Sequence, residues 1–517
     1  MMPRTVTRAP DPPPAPRFWP WLIPAALAAL LYAHTLAGTW IYDDRFHAHD
    51  DPRLREPGGW RAYLTDGYVP GGVDRLWRPL VSLSYAAQWR LGGGQAWPFH
   101  LANVLLHAAA SALVAELARR LGGSDRSALV AGLLFAAHPI HVEGVAYIVG
   151  RADSLCTVGT LGAMVLMLRP LSTGRAIAVV ACVAVAVLSK EQGLLLPPML
   201  AALWRLRRRS NPPSPRERAA GRWLALLLLF GIAAYVTYRE QILPWHWDTR
   251  LLDYATQPMI RSELRDRLLM PLALLGRAAA LLALPLKLSP EYGLAVITSR
   301  QALTDPYLYV GIAALLGAAA GAAIAWRRRA RTALFLLFCA GLTYLMVANV
   351  KLIGVVFAER LLYLPSAFVL ILAALGLARL PARAMTPIVA VLLVAWGART
   401  ATYAARWNDR QSFYEASLAD HPRSARLRVL LANELRAAGD PDRARRVIEQ
   451  GLAVAPDYWK LWAVAAHLAV DQGRLDEAQA MIDRAWALDP FIPDVLFVQD
   501  RLAQRRAAAT TRPATRP

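Results

Sequence analysis

Two adjacent carboxylates, Asp43 and Asp44, stand in the stretch WIYDDRFHAHDDPRL, directly after an apolar run. A carboxylate held within hydrogen-bond reach of a hydroxyl can take its proton, so the pair is a candidate general base. The expectation leans to Asp44 as base with Asp43 in support. The plainer alternative is a solvated pair in a polar loop. Further on, Arg151, Lys190 and Arg360 stand at the ends of apolar segments, where a charge usually marks a cavity or pathway. Each has an acid nearby, Asp153, Glu191 or Glu359, so ion pairing is the competing use. His138, His141 and Glu143 in HPIHVEG have metal-ligand residue types. Pro139 breaks the run and no fourth ligand is in view, which favours a polar cluster over a metal site. His100, Asn103 and His107 share one helical face by their spacing.

These residues need a membrane scaffold. Of the 517 residues, 56% are hydrophobic, and the mean hydropathy is +0.30. The apolar residues fall in runs of about twenty, the length that crosses a bilayer. The sequence predicts about eleven spans, near 19–38, 100–118, 127–140, 142–168, 174–189, 191–205, 222–241, 305–326, 331–350, 358–378 and 385–404. The net charge is +21, but the arginines cluster in short loops between apolar runs. That pattern fits cytoplasmic loops and argues against nucleic acid as partner. The clusters at 118–126, 169–175, 205–222, 327–331 and 378–383 all face the cytoplasm if the chain starts inside. Segment 268–288, with Arg277 in its middle, must then begin and end outside, as a re-entrant or interfacial element. The acid pair and the polar motifs fall on the outer face by the same count. Residues 39–99 form the first outer loop, with Trp60, Tyr63, Tyr68 and Trp77 as interfacial anchors. Residues 1–18 read as a disordered cytoplasmic tail. Cys156, Cys182 and Cys339 lie in apolar segments and offer no disulfide framework.

The C-terminal part changes character. Gly439 and Gly473, Ala444 and Ala478, and Pro456 and Pro490 are each 34 residues apart. That period is the tetratricopeptide (TPR) pattern of paired antiparallel helices. The expected repeat domain is 405–506, with a degenerate third unit at about 407–429 and a disordered tail at 507–517. Such arrays bind peptides or partner proteins.

The motifs YDD, WRPL (77–80), HLANVLLH (100–107), HPIHVEGVAYIVGRADSL (138–155), SKEQG (189–193) and AERLLYLPS (358–366) occur in this order. In that order the chain resembles, over nearly its whole length, the transmembrane and tetratricopeptide-repeat O-mannosyltransferases of the GT-C glycosyltransferase superfamily. The resemblance implies an all-α polytopic bundle of GT-C type with a C-terminal TPR solenoid. It implies transfer of a sugar from a polyprenyl-phosphate donor to a protein Ser/Thr hydroxyl on the exoplasmic side. The first outer loop then carries the catalytic acid, Asp44 or Asp43. Arg151, Lys190 and Arg360 then bind the donor phosphate, with Arg78 as a further candidate. His138, His141, Glu143, Asp153, Glu191, Glu359, Asn103 and His107 form the surrounding polar cluster. No obligatory cofactor is implied, and a divalent metal stays open. Two departures stand out: LDYATQPMI (252–260) matches the family's Asp-Asn-Pro-Ala pattern only loosely, and the repeat array is short. Ala, Arg and Leu richness suggests a bacterial chain in the inner membrane, with site and repeats in the periplasm and a sugar other than mannose open. Competing readings are a lipid or glycan acceptor, and a non-catalytic scaffold displaying the repeats.

Overall fold

A computed structural model describes residues 18–69, 76–243, 252–297, 302–489 and 493–510. Most of the expected N-terminal tail (1–17) and residues 511–517 lie outside the described residues. Among the described residues every regular element is helical, apart from an isolated bridge between Leu294 and Ile297. The membrane part comprises α1 (Trp19–Tyr32), α2 (Pro79–Gly92), α3 (Trp97–Arg120), α4 (Asp125–Ala137), α5 (Arg151–Met167), α6 (Thr173–Ser189) and α7 (Leu196–Ser210). It continues with α8 (Pro215–Ile242), α9 (Leu264–Ala283), α10 (Pro306–Arg327), α11 (Arg331–Leu345), α12 (Tyr363–Leu377) and α13 (Ala382–Ala405). A helix covers each expected span. Among the described residues six are long and apolar enough to cross a membrane alone, or seven if the bent pair 125–137 and 139–145 counts as one. Of the others, α4 to α7 are shorter because polar motifs break them. HPIH ends α4, GRADS opens α5 and SKEQG separates α6 from α7. The functional-type residues therefore sit at helix ends.

The arginine-rich loops share one end of the bundle. Thr332 Oγ1 donates to Leu121 O at 3.2 Å, joining two of them. Leu171 N donates to Glu217 Oε1 at 3.0 Å, joining two more. Ser214 caps α8 in a capping box with Glu217, which also pairs with Arg207 at 2.5 Å. Within segment 268–288, residues 268–283 belong to one helix, α9, and 284–288 follow it without regular structure. Both its flanks touch the opposite end: Arg261 lies 3.9 Å from Asp457, and Leu282 O bonds His138 Nε2 at 3.0 Å. Gly276 and Gly311 let α9 and α10 touch backbone to backbone; a Cβ at either would overlap the other helix.

The repeat part comprises α14 (Arg410–Asp420), α15 (Ala425–Ala437), α16 (Pro441–Val454), α17 (Trp459–Asp471), α18 (Leu475–Leu488) and α19 (Pro493–Thr510). Gly439 (φ +83°) and Gly473 (φ +74°) end α15 and α17 in the left-handed conformation that lets each hairpin turn. Ala444 and Ala478 are fully buried where paired helices cross. A single helix, α14, precedes the hairpins in place of a third unit, because α15 is already the first helix of the first repeat. The last helix extends into the expected tail, as far as Thr510. Trp407, buried, joins the two parts: its ring lies 5.5 Å from Tyr147 and 4.3 Å from Phe413.

Candidate active site

Tyr42 precedes the acid pair with φ +59°, a conformation that costs a non-glycine residue about 1–3 kcal/mol. Its surroundings hold it there. The hydroxyl donates to Glu291 Oε2 at 2.9 Å, and the ring centroid lies 5.9 Å from that of Tyr147. Past this twist the two acids part. Asp44 is buried, and its oxygens accept from Ile41 N at 3.1 Å and Val149 N at 3.0 Å. Burial pushes its carboxyl well above the usual carboxylate range, against the pull of those backbone donors. Asp43 is the open member, its side chain 33% exposed. Exposure thus runs opposite to the order leaned to from sequence: Asp44 ties the loop to residues 148–150, and Asp43 is the more open carboxylate.

The basic residues also sort themselves. Arg151 is 1% exposed and donates four hydrogen bonds, to Asn103, Ser84, Gln88 and the Phe99 carbonyl. Its guanidinium is thus committed mainly to joining helix ends. The Asn103 amide in turn donates to the carbonyls of Val145, Tyr147 and Ile148. Lys190 pairs with Asp153, and Arg360 with Glu143, which also accepts from Arg360 N at 2.9 Å. Arg78 pairs with Glu191 at 2.9 Å. None of the partners expected from sequence proximity is used. The pairs instead join distant helix ends, and Asp153 lies within electrostatic reach of both Arg78 and Arg360. Tyr147 links them to the acid pair. Its buried hydroxyl has no hydrogen-bond partner among the described residues, and Asp43, Arg360 and Tyr42 all act on it electrostatically.

Glu359 is buried, accepting from Ser289 N at 2.6 Å and the Tyr292 hydroxyl at 2.7 Å. The three histidines His107, His138 and His141 each use both ring nitrogens. His107 bonds the Tyr363 hydroxyl and Ala136 O, His138 bonds Leu282 O and Ile140 N, and His141 bonds Ser366 and Phe135 O. With both ring nitrogens used, they act as polar links between helices. Among the described residues no three His, Cys, Asp or Glu side chains converge as metal ligands. Sequence reasoning missed Tyr42, Tyr147, Glu291 and Arg426. Glu291 sits in the turn SPEYG, which carried no signal beyond a loop.

His47 stacks on Tyr68 with ring centroids 4.2 Å apart, close to Asp43 and Arg78. Burial lowers its pKa to about 4, so the fold favours the neutral ring. That stabilisation is complete above the ordinary value near 6.5 and is lost as pH falls toward 4. Melting temperature is therefore expected to fall over that interval, and to fall less in His47→Gln, by thermal unfolding at stepped pH.

Beside Arg78 opens a small apolar groove of about 300 Å³, lined by Leu64, Trp77, Leu80, Leu83, Leu188 and Tyr238, among others.

Residues 78–215 match the dolichyl-phosphate-mannose-protein mannosyltransferase family, and residues 435–495 match tetratricopeptide repeats. Similar curated proteins include protein O-mannosyl-transferase Tmtc2 of Drosophila melanogaster, 42% identical over 134 residues, covering 25% of this chain and 14% of that protein. Human TMTC2 is 37% identical over 137 residues, covering 26% of this chain and 16% of that protein. Over these stretches the chain is similar to the TMTC proteins. Human TMTC4 is 32% identical over 162 residues, covering 28% of this chain and 22% of that protein. The matched stretches thus span less than a quarter of these TMTC proteins, and about a quarter of this chain. Among solved structures, ArnT from Cupriavidus metallidurans bound to undecaprenyl phosphate aligns with a TM-score of 0.41 and 14% identity, covering 94% of this chain and 78% of that one.

Proposed function

We propose that the chain is an inverting membrane glycosyltransferase that moves a sugar from a polyprenyl-phosphate donor to a protein Ser or Thr hydroxyl. The observation that carries the reading is the open carboxylate of Asp43, which acts on His47 together with Arg78 and on Tyr147 together with Arg360, while Lys190 joins those cations through Asp153. Asp43 takes the acceptor hydroxyl proton as that oxygen attacks the anomeric carbon. The carbon–oxygen bond to the donor phosphate breaks, and the phosphate leaves with its charge held by the cations. The apolar groove beside Arg78 receives the isoprenoid chain. The arginine-rich end faces the cytoplasm, so transfer occurs on the exoplasmic face, the periplasm in a bacterial inner membrane. The repeats hold the acceptor or a partner. The curated proteins matched at 32% identity and above carry the same O-mannosyl-transferase name, which supports this acceptor class.

The test is a donor panel with the purified full chain in lipid nanodiscs, starting from polyprenyl-phosphate mannose, with an acceptor protein read by intact mass. Sugar added to protein supports the reading; release of sugar onto lipid or glycan alone corrects the acceptor; no turnover with any donor overturns it. Arg78→Gln is expected to raise the donor KM about 10- to 100-fold, the weight of lost hydrogen bonds to a charged group. Its partner Glu191 is 28% exposed and tolerates the loss.

A further inference from the structure

We propose that Arg426, carried by the repeat domain, is a positioning residue of the transfer site; this rests on the reading above. Its guanidinium donates to Glu291 Oε2 at 2.9 Å, the oxygen that also accepts from the Tyr42 hydroxyl. It lies 4.9 Å above the Tyr42 ring and 3.9 Å from Asp43 Oδ1. One soluble-domain side chain therefore touches the strained residue before the acid pair, the open acid itself and the acid that fixes the strain. The arginine cannot swing away freely. It sits in the first turn of α15, where Ser424, the N-cap, accepts from Leu427 N at 3.3 Å, and Ser424, Ala425 and Leu427 are buried.

A second contact joins the repeats to the membrane part away from Asp43. Lys460 pairs with Asp253 at 3.3 Å, and the Tyr254 hydroxyl bonds Asp457 at 3.3 Å. The same loop accepts Val356 N at Thr256 O, on the strand of chain that leads to Arg360. The repeats thus reach the acid pair through Arg426 alone among these contacts. A polypeptide that engages the repeats and shifts them by an ångström moves a positive charge beside the base, so acceptor capture and transfer are coupled.

The experiment uses the full chain in nanodiscs with the donor that the panel identifies. Arg426→Gln is expected to lower kcat at least about tenfold while the donor KM stays within about twofold, the split of a group that orients the base. Arg426→Lys, which keeps the charge, is expected to recover most of that loss. Lys460→Gln breaks the second inter-domain pair without approaching Asp43 and is expected to keep wild-type kcat. Wild-type kcat in Arg426→Gln overturns the inference, as does an equal loss in Lys460→Gln, which would reduce Arg426 to domain docking. Transfer by the wild type that Asp43→Asn abolishes and Arg426→Gln preserves defeats this inference alone. A wild type inert toward every donor defeats the transfer reading and this one with it.

Discussion

Asp43→Asn is expected to lower sugar transfer by about 10²- to 10⁴-fold, the range of a lost general base, with no change in melting temperature. The substitution is isosteric and the side chain is 33% exposed, so the fold loses little. Asp44→Asn is expected to do the reverse. Both Asp44 oxygens accept backbone N–H groups, from Ile41 and Val149. An asparagine must turn its amide N–H against one of them, leaving a buried donor unsatisfied at about 1–3 kcal/mol. Melting temperature falls, while transfer per folded molecule stays within about tenfold of wild type. Parallel measurement of thermal unfolding and single-turnover transfer separates the two variants. Loss of transfer in Asp44→Asn alone would restore Asp44 as the base and remove Asp43 from the chemistry.

The helices and the repeat period were legible because each rests on local periodicity. Twenty apolar residues mark a span wherever they occur, and Gly439 and Gly473 mark a hairpin turn by their own conformational freedom. The acid pair was legible as a pair, for the same local reason. Which member stays exposed was not, because the φ of Tyr42 decides it, and Glu291, some 250 residues away, holds that angle. Ion pairs failed in the same way. Proximity along the chain suggested Lys190 with Glu191, but Lys190 at the end of α6 reaches Asp153 at the start of α5. Arg360 reaches Glu143 and not its neighbour Glu359, which is turned toward Ser289 and Tyr292. Long side chains at helix ends choose partners by the tertiary arrangement of those ends. Arg426 carried no signal at all, since an arginine in the first turn of a repeat helix reads as surface.

Arg151→Leu is expected to destabilise the chain by about 3–5 kcal/mol, the cost of breaking a buried, hydrogen-bonded charge. The magnitude follows from how the guanidinium is used. Nε donates to Asn103 Oδ1 at 2.9 Å, one Nη to Ser84 Oγ at 3.0 Å and Gln88 Oε1 at 2.5 Å, and the other Nη to Phe99 O at 2.8 Å. The plane also lies 4.7 Å from the Tyr85 ring centre. Leucine strands four acceptors from α2 and α3 at once. Lysine keeps the charge but cannot spread it over four acceptors in a fork, so Arg151→Lys is expected to lose an intermediate amount. The damage reaches the acid pair by a short route. Asn103 holds the carbonyls of Val145, Tyr147 and Ile148, and the next residue, Val149, donates its N–H to Asp44. Losing Arg151 frees Asn103, and the turn that anchors the first loop loosens with it. Stability and kcat are therefore expected to fall together, with little change in the donor KM of molecules that remain folded. Thermal unfolding and transfer kinetics on the same preparation read both. A variant with wild-type stability and a raised donor KM would return Arg151 to the phosphate, because only a side chain with donors to spare can lose a ligand without loosening the fold.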